Sequence, residues 1–230
     1  MTPAIILFPG INRERDMAKA VALVSGKKPL IVWHGESSLP KGVDLVIVPG
    51  GFSYGDYLRC GAIAARSPIM KAIIREAEKG LPVIGICNGF QILTEARLLP
   101  GALVRNKGLK FLCKDVHLRV ENAQSRFTNR YQKNQVIRVP IAHGEGNFVC
   151  ETEALKRLEG EGQVLFRYCN EQGALSEAAN INGSVNAIAG VMNAAGNVMG
   201  MMPHPEDLID PLLGGTDGLG LFESVLARAA

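Results

Sequence analysis

Cys87 is the residue whose neighbours best suit it to act as a nucleophile. It lies in Gly85-Ile86-Cys87-Asn88-Gly89-Phe90-Gln91. Ahead of it runs Leu81-Pro82-Val83-Ile84, short, apolar and β-branched. Behind it, Ile92-Leu93-Thr94-Glu95-Ala96 reads as helix. The cysteine therefore belongs at an abrupt strand-to-helix turn with a glycine two residues away on each side, the G-x-nucleophile-x-G elbow with cysteine in place of serine. Side chains at those two positions would collide with a strained turn. The following helix adds free N–H groups and partial positive charge, which should lower the thiol pKa.

A cysteine nucleophile needs a base, and the base needs an orienting partner. The chain has four histidines. His34 follows a strand without an acidic neighbour, and His117 alternates within a strand. His143-Gly144-Glu145 and His204-Pro205-Glu206 both offer a histidine with a glutamate two residues on, and spacing alone does not choose between them. His204 is the better candidate. It follows an apolar strand, and flanking prolines stiffen its backbone. Acyl transfer also needs oxyanion donors. The backbone N–H of Asn88 follows the nucleophile, and Gly51, in Pro49-Gly50-Gly51 at the end of a neighbouring strand, is the second candidate. Gln91, one helical turn beyond Cys87, should face the same mouth.

These residues need a frame that brings strand ends together. Ala4–Phe8, Leu30–Trp33, Leu45–Val48 and Leu81–Ile84 are apolar runs typical of buried strands. Helices are predicted at Arg13–Ser25, capped by Asn12, at Ala62–Lys79 with Ile63 inward, and after the elbow. This alternation implies an α/β fold with a mainly parallel sheet. From Ala102 to Pro140 shorter strands predict an antiparallel ribbon packed onto the sheet. A short helix over Glu151–Leu158, a strand at Val164–Tyr168, a hairpin-type turn at Asn182-Gly183-Ser184, a strand pair Ala187–Met192 and Val198–Met202, and a helix from Asp217 to Ala229 complete the expectation. One domain over residues 1–230 accommodates all of it.

Composition narrows the function. The 25 basic and 22 acidic residues leave a net charge of +3, too small to argue for nucleic acid. No apolar run is long enough to span a membrane. No signal peptide is visible, and the five cysteines are widely spaced without a C-x-x-C pair, which predicts a reduced, cytoplasmic protein without a zinc site. Between Ala102 and Pro140 nine basic residues face two acidic ones, Asp115 and Glu121. That segment is either a solvated face or a docking face for an acidic partner.

The elbow taken with His204-Pro205-Glu206 resembles the class I (triad) glutamine amidotransferases, whose fold is a flavodoxin-like three-layer sandwich. A narrower resemblance rests on Pro49–Arg59 (PGGFSYGDYLR), Ala142-His143-Gly144-Glu145-Gly146 and Asn182-Gly183-Ser184. These are similar to the glutaminase subunits of phosphoribosylformylglycinamidine synthases, over nearly the whole chain. The resemblance implies that Cys87 attacks the side-chain amide of glutamine, that His204 protonates the departing ammonia and that Glu206 orients His204. Gly51 and Asn88 would stabilise the oxyanion. Gln91, Phe52, His143 and Gly144 would bind glutamine, which moves His143 from base to rim. It also implies a synthetase partner that uses ATP and magnesium, a small third subunit, ammonia passed between subunits and no cofactor in this one. Two departures stand out. Ile181 replaces a usual proline, and Arg13-Glu14 replaces a usual Cys-Asp. The competing readings are an amidotransferase for another synthetase, a cysteine hydrolase on a similar sheet, and a catalytically silent glutamine-binding subunit.

Overall fold

Aliphatic residues occupy nearly every position of the N-terminal apolar runs, and such runs are stable only when both sheet faces are covered. In the computed structural model, which describes residues 1–226, they form β1 (Pro3–Leu7), β2 (Leu30–Trp33), β3 (Leu45–Val48) and β4 (Val83–Ile86). Every residue of β3 and β4 is buried, whereas β2 is an edge strand with three exposed residues. Seven further strands follow: β5 (Ala102–Val104), β6 (Leu112–Val120), β7 (Val136–His143), β8 (Asn147–Val149), β9 (Val164–Cys169), β10 (Ile188–Met192) and β11 (Val198–Met201). The helices are α1 (Glu14–Ser25), α2 (Pro68–Glu78), α3 (Asn88–Glu95), α4 (Thr152–Gly160) and α5 (Leu219–Leu226).

The described residues form a nine-stranded sheet in the order β2-β1-β3-β4-β11-β10-β9-β6-β7. The strands from β2 to β11 are parallel, and β10, β9, β6 and β7 extend the sheet antiparallel. α1 packs on β1 and against α5, and α3 packs over β3, β4 and β11. This is the α/β sandwich expected. Two registers position the site. Val48 pairs with Gly85, so the turn after β3 lies beside the elbow. Met201 pairs with Ile86 and accepts the Cys87 N–H at 2.8 Å, so the residues leaving β11 emerge beside the cysteine.

Several local expectations change. α1 starts after Arg13, and neither Asn12 nor Arg13 closes a side-chain cap on it. The helix expected over Ala62–Lys79 breaks into a 3₁₀ turn (Ala64–Arg66) and α2, because Pro68 has no N–H to continue the ladder and sits well only in a first turn. Ile63 is partly exposed as a result. β6 and β7 join the main sheet edge to edge rather than packing on it, and β5 pairs instead with β8 in a separate two-stranded sheet. Asn182-Gly183-Ser184 does not connect a hairpin. It leads into a 3₁₀ turn (Val185–Ala187), and its Asn and Ser are buried. α5 is described as far as Leu226, and the expected extension to Ala229 lies outside the described residues. Among the described residues no helix is long and apolar enough to cross a membrane.

Candidate active site

Cys87 caps α3 with φ 51° and ψ −107°, a conformation a non-glycine residue adopts only under constraint from its surroundings. The constraint is visible at both glycines. A Cβ on Gly89 would stand 1.9 Å from the Val48 carbonyl oxygen, and one on Gly85 would stand 2.5 Å from Leu93 Cδ1 and 2.7 Å from Gly89 backbone atoms. The elbow is thus pressed between β3 and α3, and only glycine permits the approach. Cys87 lines a cavity of about 290 Å³ together with Gly51, Phe52, Gln91, His143 and Gly144.

The two histidines sit in different surroundings. His204 Nδ1 and Glu206 Oε1 are 2.8 Å apart and both residues are buried, while the other ring nitrogen, Nε2, has no hydrogen-bonded partner. Burial by itself would push the His204 pKa down. Burial is the largest single influence, but the charge of Glu206, then that of Cys87, and hydrogen bonds to both together outweigh it, and the imidazole ends well above its ordinary value. His204 therefore carries a proton beside the sulfur at neutral pH. His143 differs in each respect. Its Nδ1 lies 3.1 Å from Asn106 Oδ1, not on Glu145, which instead faces Arg105 at 3.9 Å. Burial, helped by the charge of His204, pushes His143 down to about 4. It is a neutral wall of the cavity.

Gly50 sets the spacing of the centre. A Cβ there would lie 2.8 Å from His204 Cε1 and 3.4 Å from Cys87 Cβ. Gly50→Ala must displace the imidazole, and misplacement of a catalytic group by about 1 Å costs roughly 10²-fold in rate. We expect kcat for glutamine hydrolysis to fall by about that factor with KM nearly unchanged, as read from steady-state kinetics.

Gly51 has φ 148° and is strapped to the Gly10–Asn12 turn: Phe52 N donates to Gly10 O at 2.9 Å and Asn12 N to Gly50 O at 3.4 Å. A Cβ on Gly51 would meet Ile11 Cα at 2.7 Å. Among the described residues neither Gly51 N–H nor Asn88 N–H is used in a hydrogen bond, so both are available as oxyanion donors. The Asn88 side chain is committed elsewhere. Its Oδ1 accepts from Ser53 N at 3.1 Å, and its Nδ2 donates to Gln91 Oε1 at 2.8 Å. Gln91 Nε2 in turn donates to Glu145 O at 2.7 Å. Gln91 lines the cavity, yet each end of its amide already has a protein partner. This relay fastens the loop after Gly51, the elbow and the 143–146 turn into one wall. Phe52 is at the exposed rim, stacked on Phe111 at 6.4 Å.

Besides the expected site residues, Asp56, Cys60, Arg105, Phe111 and Glu145 line the cavity. Glu145 entered the sequence reading only as a partner for His143, Asp56 only within a longer motif and Arg105 only as one of nine basic residues, and Phe111 carried no local signal. Burial pushes the Cys60 thiol far up, with Glu145 and Asp56 adding to the effect, so this second cysteine remains a protonated thiol. The cavity thus separates two thiols by charge. One is beside two acids, the other beside a cationic imidazole and a helix N-terminus. Asn106 was also missed. Its Oδ1 accepts from Gly146 N at 3.0 Å and its Nδ2 donates to His143 O at 2.9 Å, holding the far wall.

Comparison with known proteins agrees with this geometry. The profile of the CobB/CobQ-like glutamine amidotransferase domain matches residues 2–213. A relative from Bradyrhizobium diazoefficiens, the phosphoribosylformylglycinamidine synthase subunit PurQ, is 62% identical over 222 residues, 96% of this chain and 95% of its own. A chain in the structure of PurLQS from Thermotoga maritima superposes with a TM-score of 0.87 at 42% identity, covering 100% of this chain and 99% of that one. A glutamine amidotransferase from Thermotoga maritima at 18% identity shares the fold, with a TM-score of 0.60 over 99% of this chain and 97% of its own.

Proposed function

The chain belongs to the CobB/CobQ-like glutamine amidotransferase family, and from that membership we propose that it is the glutaminase subunit of a phosphoribosylformylglycinamidine synthase. Cys87 Sγ attacks the side-chain amide carbon of glutamine, with the oxyanion held by Gly51 N–H and Asn88 N–H. His204 gives its proton to the departing nitrogen, and the C–N bond breaks to release ammonia and leave a γ-glutamyl thioester. Water then attacks the thioester while His204 takes its proton, and glutamate and free Cys87 are regenerated. Asp56 and Glu145 give the cavity negative charge suited to the α-ammonium of the amino acid, and Arg105 is a cation within reach of its carboxylate. The observation that carries this reading is the buried His204–Glu206 pair beside the strained Cys87.

The ammonia is used by a synthetase partner that consumes ATP with magnesium to aminate formylglycinamide ribonucleotide, and a small third subunit completes the assembly. A cytoplasmic setting suits five unpaired cysteines. The mouth of the cavity is where the partner docks. Phe52, Leu109 and Phe111 line it and are exposed, and Tyr57 and Leu58, which follow the lining residue Asp56 in sequence, are exposed too, apolar surface that an isolated chain would leave wet. The basic residues of 105–138 do not form one face. Arg119 and Arg138 are paired with Glu121 and Asp115, and Arg130 lies far off beside Leu23 and Leu219. Arg105 and Lys110 line the cavity, and Lys107 is exposed and paired with Glu177 at 2.7 Å.

The test is glutamine-dependent formation of formylglycinamidine ribonucleotide when the chain is mixed with a synthetase preparation lacking its own glutaminase. Amination with added ammonia but not with glutamine would reject the assignment. Within that assay Leu58→Asp, which changes a residue 86% exposed, combined with Lys107→Glu should weaken assembly by about tenfold or more, since loss of an apolar anchor and of an exposed charge act together. Sedimentation would read this, and glutamine hydrolysis by the isolated chain should stay within about twofold.

A further inference from the structure

We propose that Arg13 is a positioning residue of the catalytic centre: its guanidinium, set between Asp16 and Asp207, keeps the carboxylate next to Glu206 ionised and turned toward α1, so that Glu206 holds His204 alone. The inference rests on the Cys87–His204–Glu206 reading and assigns a part to one of the two positions where the sequence departs from the family it resembles.

Three observations converge on Arg13. Its Nη1 lies 3.2 Å from Asp16 Oδ2 and 3.4 Å from Asp207 Oδ1, tying the start of α1 to the turn that carries the triad. Its stem reaches the centre itself: the Cβ that would crowd His204 at Gly50 would also lie 3.4 Å from Arg13 Cγ. Finally, Glu206 uses only Oε1 on His204, and its Oε2 is buried with no partner. A lone buried carboxylate oxygen attracts any nearby donor.

A neighbouring source of such a donor is the carboxyl of Asp207, the next residue along the chain. Two adjacent carboxyl groups in a partly buried turn do not both stay ionised without a cation. Burial, then the charge of Glu206, push Asp207 up to about 6, and Asp16 pushes the same way; His204 and Arg13 hold it down. These are the charges that face it, two from α1 and two from its own turn. β7 and α5 also pack on the turn and add no larger contribution. Without Arg13 one of the two charges that hold Asp207 down is lost, and its carboxyl takes up a proton at higher pH. Its O–H then donates to Glu206 Oε2, draws negative charge away from the imidazole and loosens the pair that keeps His204 protonated.

The experiment is the pH profile of kcat and kcat/KM for glutamine hydrolysis in the complex with the synthetase, together with thermal melting. Arg13→Met is expected to move the acidic limb up by about one pH unit and to lower kcat at pH 7 by about tenfold with KM unchanged, the scale of one lost charge contact near a titrating group. Arg13→Lys should restore most of the rate. In an Asp207→Asn background, where no carboxyl remains to titrate, Arg13→Met should produce no further shift of the limb. If Arg13→Met lowers the melting temperature but leaves the limb in place, or if the shift persists with Asn at 207, the proposal is overturned. Should Arg13→Met not fold, Asp207→Asn alone decides, because it must remove the acidic limb that this carboxyl creates. Cys87→Ala in the same assay separates the two claims: activity surviving that change defeats the triad reading, whereas an unmoved limb with Cys87 essential defeats only the role of Arg13.

Discussion

Cys87→Ala is expected to abolish glutamine hydrolysis and glutamine-driven amination, a fall of at least about 10⁴-fold in kcat, the scale on which nucleophile removal acts in triad enzymes. At about 1.4 kcal/mol per tenfold this is a loss of roughly 5 to 6 kcal/mol of transition-state stabilisation. No other group can substitute. Cys60 opens onto the same cavity, but the acids around it keep its thiol protonated. The substitution should leave the fold intact, since alanine fills the same elbow with one atom fewer. It should also leave amination with free ammonia unaffected in the complex. Mass spectrometry of the wild-type protein quenched during turnover should show a γ-glutamyl adduct on Cys87, absent from the variant. Retention of glutamine-dependent turnover by Cys87→Ala would end the assignment.

Glu206→Gln should cost about 10³- to 10⁴-fold in kcat while leaving the geometry of the turn in place, because an amide matches the carboxylate in shape but cannot stabilise an imidazolium. The sign of the accompanying pH effect follows from the causes of the shift at His204. Burial lowers its pKa, and the charge of Glu206 is the largest of the influences that raise it. With that charge removed, the folded-state pKa falls. The basic limb of the hydrolysis profile, which marks loss of the proton that must reach the leaving nitrogen, should therefore move to lower pH. A Glu206→Gln profile that overlays the wild type at reduced amplitude would leave Glu206 with a purely steric part.

Much of this was legible in the chain itself, and the reasons are local. Leu81–Ile84 reads as a buried strand because the run is short, apolar and β-branched, and the elbow pattern itself asks for glycine at 85 and 89; that Val48 O and Leu93 Cδ1 are the atoms that enforce it only the fold shows. Where local signals misled, either a breaker inside the run or a non-local partner had won. The run after Ala62 looked helical throughout until Pro68 removed a donor. Asn182-Gly183-Ser184 has hairpin composition, yet Asn182 Nδ2 donates to Gly146 O at 2.8 Å and Ser184 Oγ accepts from Phe148 N at 3.0 Å, so the turn serves the cavity wall instead. Asn106 carried no signal, because an asparagine on a polar stretch is ordinary until its partners are known.

The sequence by itself determined that Cys87 sits in a strained elbow and which side chains were eligible to serve it. The choice between His143 and His204 belonged to the tertiary structure. Both have a glutamate two residues on, so chain spacing treats them alike. Pairing of β11 beside β4 brings His204 to the sulfur with Glu206 on its far nitrogen, while β7 ends with His143 turned to Asn106. An imidazole's charge depends on what lies within a few ångströms of it, and where β4 and β11, neighbours in the sheet, are more than a hundred residues apart in the chain, only folding decides that.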